Sequence, residues 1–184
     1  AELRAVCPAL CDLAANIGDP AVRNRGTLGG SIANNDPAAD YPAAMLALNA
    51  VIVTDAREIA ADDFFDGMFT TVLEEGEIIL SVRFTAPAKA GYAKFPNPAS
   101  RYAMAGVFVA VTDAVRVAVT GAGSDGVFRA PDMEAALSET FEPVALEGIA
   151  PDADDMLSDI HGDGAYRANL VNVMARRAVA AAQG

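Results

Sequence analysis

Residues 17–40 read IGDPAVRNRGTLGGSIANNDPAAD. No other stretch gathers so much glycine, amide, hydroxyl and acid between two apolar segments. The adjacent Gly29 and Gly30 let backbone N–H groups approach a ligand closely, because no Cβ intervenes. Successive N–H groups in such a turn form an anion-binding concavity. Thr27 and Ser31 add hydroxyls on either side. A phosphate-bearing cofactor suits this stretch. So does a plain glycine-rich turn between two core elements, since short glycine motifs recur without ligands.

Other chemistries have less to stand on. The one histidine, His161, sits in the run SDIHG without any G-x-S-x-G nucleophile elbow. The carboxylates show no spacing that singles out an acid/base pair. Gly121-Ala122-Gly123 begins a G-x-G pattern, but Gly126 falls out of register and no long helix pattern opens there, so it reads as a turn. Cys7 and Cys11 are the only cysteines and read as reduced, packed thiols. This chain alone cannot supply the ligands of a zinc or iron–sulfur site. One further feature is the polar turn 94–102. There Tyr102, beside Ser100 and Arg101, either stacks on a planar ring system or packs at a strand edge.

Bulk properties narrow the class. The 184 residues are 53% hydrophobic, enough for a substantial core. A formal charge of −12 argues against nucleic acid as a partner, which needs a basic face. The longest apolar run, 103–111, is too short to span a bilayer, so no transmembrane segment is expected. Reduced thiols suit the cytoplasm.

The elements that must position the 17–40 loop follow from periodicity. Leu3, Val6, Leu10, Leu13 and Ile17 mark one helix face, interrupted at Pro8. A short helix follows Tyr41-Pro42. Strands are expected at 51–54, near Ile59 and over 77–84. Phe64, Phe65, Met68 and Phe69 read as a core cluster. The segment 87–91 (PAKAG) reads as a linker and domain boundary. Beyond it, strands at 92–95, 104–112 and 115–120 form a meander. Helices are expected at 131–138 and 165–182, the latter capped by Asp163. The layout is α+β.

The string VRNRGTLGGS (22–31), followed by NDPAADYP (35–42), resembles the second flavin-binding motif of the molybdenum hydroxylase flavoproteins. That pattern runs approximately R-x-x-G-T-I-G-G-[N/S], with an acid ten residues after the second glycine. Here Leu28 replaces the usual Ile, Ser31 the common Asn, and Asp40 supplies the acid. The similarity continues through 77–82, 94–104 and Tyr166-Arg167…Arg176-Arg177-Ala178. It is nearest to the medium subunits of aerobic carbon monoxide dehydrogenases.

The resemblance implies that 1–90 is the second FAD-binding subdomain of a PCMH-type flavoprotein and 91–184 the family's C-terminal domain, an antiparallel sheet with helices. It implies an oxidoreductase subunit that binds FAD. Molybdopterin and [2Fe–2S] clusters would lie only on partner subunits, a molybdenum-binding large one and an iron–sulfur small one. Electrons would pass from them through FAD to an external acceptor, in the cytoplasm or at the inner face of the membrane. Carried over by position, Thr27, Leu28, Gly29, Gly30 and Ser31 would meet the diphosphate and ribityl region. Asp40 would bond an FAD hydroxyl, Ile79 would lie beside the cofactor, Lys94 near the flavin, and Tyr102 over one face of its ring. The family's first flavin motif, an Ala-Gly-Gly-His-Ser-type loop, does not occur in these residues. The chain therefore reads as a fragment or a shortened member, expected to bind FAD weakly or not at all by itself. The competing reading is a non-catalytic module that docks partner subunits, with the glycine-rich loop structural only.

Overall fold

The computed structural model describes residues 2–184. The N-terminal helical pattern breaks completely at Cys7, giving α1 (Glu2–Val6) and α2 (Pro8–Asn16). Pro8 lacks the N–H that would continue the ladder. The break turns Leu3 and Val6 outward while Leu10 and Leu13 stay buried, so the expected single face is realised only in α2.

The glycine-rich stretch is not one loop. Asp19 accepts from the Ala21 N–H at 2.7 Å and starts α3 (Pro20–Arg25). Thr27 caps α4 (Leu28–Asn34), which places Gly29 and Gly30 in a first helical turn. Asn35 ends α4 in the left-handed conformation, which Asn tolerates better than most residues. Helix α5 (Tyr41–Ala47) is buried from Pro42 onward.

Strands β1 (Val51–Thr54), β2 (Glu58–Ala60) and β3 (Ile79–Arg83) form an antiparallel sheet in the order β2-β1-β3. The connection back to β3 is fastened by Glu77. Its carboxylate accepts from Thr54 Oγ1 at 2.7 Å, from Arg57 Nε and Nη2 at 3.1 and 3.0 Å, and from the Glu74 N–H at 2.9 Å. The Arg57 bonds first, then the Glu74 N–H and Thr54, hold the carboxyl down at about 2. A pKa below the ordinary value of about 4.3 means that this clamp contributes fully above that value and is lost as pH falls toward 2. The drop in urea midpoint between pH 5 and 2 should therefore be smaller for Glu77→Gln than for the wild type. Parallel curves would show that the clamp does not carry this pH dependence.

The second half forms β4 (Lys89–Pro96), β5 (Ala103–Val111), β6 (Val115–Thr120) and β7 (Phe128–Arg129), antiparallel in that order. The expected linker is largely strand: Lys89–Gly91 pair with Val109–Val111. Gly91 matters there for space. A Cβ at this position would lie 2.0 Å from the Ala178 carbonyl oxygen.

Helices α6 (Pro131–Glu139) and α7 (Gly164–Ala181) cover one face of this sheet, and α2 and α5 cover the other. Strand β5 is buried along nearly its whole length for that reason. Phe108 and Ala110 join the core with α2 and α5, while Val107 and Val109 join the core with α6 and α7. Asp163 caps α7 through the Tyr166 N–H, as its position predicts. The expected aromatic–Met core splits: Phe64 is buried, but Met68 and Phe69 are 43% and 60% exposed. Among the described residues no helix is long and apolar enough to cross a membrane.

Candidate functional site

A cavity of about 690 Å³ lies between the end of α2, helix α3, the first turn of α4, Asp40-Tyr41 and a rim formed by Ser100 and Tyr102. Its volume falls within the usual small-molecule range. The α4 turn forms one wall. Thr27 Oγ1 accepts the Gly30 N–H at 3.0 Å, and the Thr27 carbonyl accepts the Ser31 N–H at 3.0 Å. A Cβ at Gly30 would meet only Thr27 Oγ1, so this backbone is open to whatever enters. Gly29 faces the other way, where a Cβ would touch Ile79 at 3.7 Å.

The residues expected at the site therefore divide. Thr27, Gly30, Ser31, Asp40 and Tyr102 border the cavity. Leu28 and Ile79 pack against the first core behind it. Lys94 lies below, its side chain 4% exposed.

Within the wall, acids are engaged and one cation is not. Asp19 and Asp36 accept backbone N–H groups at 2.7 and 2.9 Å. Arg23 donates to the Ile17 carbonyl. Arg25 makes no ion pair among the described residues and lines the cavity beside Gly26 and Thr27.

Asp40 is the buried anchor. Lys94 Nζ lies 3.0 Å from both carboxylate oxygens, and the Tyr92 hydroxyl donates to Oδ1. Lys94 also donates to the Asn16 carbonyl at 3.0 Å, which ties β4 to the end of α2 and the start of α5. Burial raises the Asp40 pKa, opposed by Lys94 and then by the Tyr92 and Lys94 hydrogen bonds. Burial, with the Asp40 charge behind it, raises Tyr92 well above the ordinary tyrosine value. Gly106 leaves room for this arrangement, since a Cβ there would lie 2.7 Å from the Tyr92 hydroxyl oxygen.

The rim is held by close packing. Asn97 Oδ1 accepts from the Ala99 and Ser100 N–H groups, and Arg101 is left-handed with φ +62°. A Cβ on Gly18 would lie 2.4 Å from Arg101 Cβ. That approach brings Tyr102, 47% exposed, to the cavity mouth.

A sequence profile of the FAD binding domain in molybdopterin dehydrogenase matches residues 1–87. The carbon monoxide dehydrogenase medium chain of Hydrogenophaga pseudoflava is 32% identical, over 98% of this chain and 68% of its own length. The chain belongs to the FAD-binding medium-subunit family of the molybdenum hydroxylases. The nicotine 6-hydroxylase medium subunit of Paenarthrobacter nicotinovorans is 36% identical, over 94% of this chain and 66% of its own. Among solved structures, reconstituted CO dehydrogenase from Oligotropha carboxidovorans superposes with a TM-score of 0.86 at 28% identity, over 99% of this chain and 69% of that one. This family member thus spans about two thirds of the length of the curated relatives it matches.

Arg25, Ser100 and Tyr92 were not singled out as site residues by sequence reasoning. Arg25 carried a readable signal, a cation two residues before Thr27 in an acidic chain. Tyr92 carried none, being 52 residues from Asp40.

Proposed function

We propose that this chain forms one wall of the FAD site in the flavin subunit of a molybdenum hydroxylase. The observation that carries the reading is that the open Gly30 backbone and Arg25, which makes no ion pair among the described residues, line one cavity in a protein of charge −12, which suits a phosphate. Gly30 and Ser31 would border the diphosphate, with Arg25 offsetting its charge. Thr27 holds the α4 turn in shape. Leu28, Gly29 and Ile79 form the packed layer that fixes this wall. Asp40, positioned by Tyr92 and Lys94, would present an oxygen to an FAD hydroxyl, and Tyr102 would cover the ring. When bound, FAD supplies the redox step, taking electrons from molybdenum and [2Fe–2S] centres of partner subunits and passing them to an external acceptor. Residues 1–90 would be the second FAD subdomain and 91–184 the C-terminal domain. A cytoplasmic location fits the free Cys7 and Cys11 thiols.

Titration of the 184-residue chain with FAD, followed by flavin fluorescence, tests this. One wall is expected to bind weakly, so no flavin absorbance should survive gel filtration. Gly30→Val fills the opening and should weaken the titrated affinity at least tenfold. Equal affinity for wild type and Gly30→Val would remove α4 from the site. A flavin band retained through gel filtration would show that this chain holds the cofactor unaided.

A further inference from the structure

We propose that the tip of the β2–β3 connection, Met68 and Phe69, is a preformed docking knob for an apolar pocket with a basic rim on a protein partner. The partner is taken to be a subunit of the assembly described under Proposed function, and the inference rests on that reading. Among the described residues four non-glycine residues are left-handed: Asn35, Asn49, Phe69 and Arg101. Asparagine tolerates that region, whereas a bulky aromatic there is an outlier. Such strain persists only where the surroundings impose it. Burial of the ring would offset it, but Phe69 is 60% exposed, at φ +54°, and Met68 beside it is 43% exposed.

The tip is nevertheless held firmly. Asn35 is 1% exposed. Its side-chain Nδ2 donates to the Gly67 and Thr70 carbonyls at 2.7 and 2.9 Å, and its backbone carbonyl accepts the Phe69 N–H at 2.9 Å. A buried amide thus fixes an exposed aromatic in a strained conformation with no gain inside this chain. A partner that buries the ring supplies the gain, and the fixed conformation reduces the ordering entropy of binding.

Charge indicates the partner's chemistry. Asp63, Asp66 and Asp125 are exposed, and none forms an ion pair among the described residues. Asp125 belongs to this rim because Gly126 packs on Gly67, where a Cβ would lie 3.6 Å from the Gly67 carbonyl carbon. Lysine or arginine around an apolar pocket complements them. Anionic lipid is repelled by the same carboxylates.

The test uses Phe69→Gly. The isolated variant should be at least as thermally stable as the wild type, because the strain is relieved and little packing is lost. Its affinity for the purified molybdenum and iron–sulfur subunits, read by calorimetry, should fall at least tenfold. Asp66→Lys should slow association and flatten its salt dependence. A Phe69→Gly variant that binds like the wild type overturns the knob and leaves the FAD reading standing. A clear loss of its thermal stability overturns the premise that the ring gains nothing within the chain. Wild-type self-association abolished by Phe69→Gly assigns the tip to a second copy and overturns the proposed partner. Wild type that binds neither subunit overturns both the knob and the assembly.

Discussion

Replacing Lys94 with methionine is expected to destabilise the protein by about 3–5 kcal/mol at neutral pH, the usual effect of stripping one partner from a buried ion pair. Both side chains of the Lys94–Asp40 pair are 4% exposed. Without Lys94 the carboxylate keeps, among the described residues, only the Tyr92 hydroxyl as a side-chain donor. The Asn16 carbonyl at the end of α2 loses its donor as well. The pH dependence follows in sign. Burial already raises the folded-state pKa of Asp40, and Lys94 is the largest opposing influence. Its removal lifts that pKa further above the unfolded value of about 3.9. The folded state then binds the proton more tightly than the unfolded chain, so the deficit is greatest above the folded pKa and shrinks as pH falls through it. Urea midpoints at pH 7.5 and 5.0 should show the variant recovering at the lower pH. Adding Asp40→Asn to Lys94→Met should restore much of the loss at neutral pH. A loss under about 1 kcal/mol with no pH trend would mean that the pair is not buried as a unit.

That pair also shows what could be read in the sequence. Asp40, through the flavin motif, and Lys94, through the wider resemblance, were both expected at the site. Their mutual contact, across 54 residues, was not. Lys94 is expected near the flavin, and the structure pairs it with Asp40, as a buried charge must find an opposite charge. Helix α4 was hidden for another reason. Two glycines have low helix propensity, so TLGGS reads as loop, while the deciding features are the Thr27 cap and the left-handed Asn35. Strand β5 and helix α7 were legible because their apolar patterns are long and unbroken. Phe69 was misplaced because an aromatic near other aromatics reads as core, whereas this one is 60% exposed.

Arg167→Met is expected to lower stability by about 3–4 kcal/mol, from unsatisfied buried acceptors rather than from lost volume. Arg167 is 3% exposed and reaches from α7 to the sheet. Nη1 donates to the Met104 and Gly121 carbonyls, each at 2.9 Å, and Nη2 to Asp159 Oδ2 at 2.7 Å. Its Nε has no acceptor among the described residues, so this placement already carries a desolvation penalty. Methionine fills much of the space but leaves two buried carbonyls without their donor. Asp159 matters less, because its side chain is 44% exposed and water can replace the guanidinium. Asp159→Asn should therefore change stability by less than about 1 kcal/mol. Arg167→Lys should recover under half of the loss, since one ammonium cannot span acceptors arranged for a planar fork. Urea unfolding of the three variants measures this, and equal losses for Asp159→Asn and Arg167→Met would show that the ion pair, not the carbonyls, dominates. Helix α7 lies on the face of the sheet opposite α2 and α5. FAD titrations of Arg167→Met under conditions where it remains folded should match the wild type, which separates the scaffold's stability from the cavity's binding.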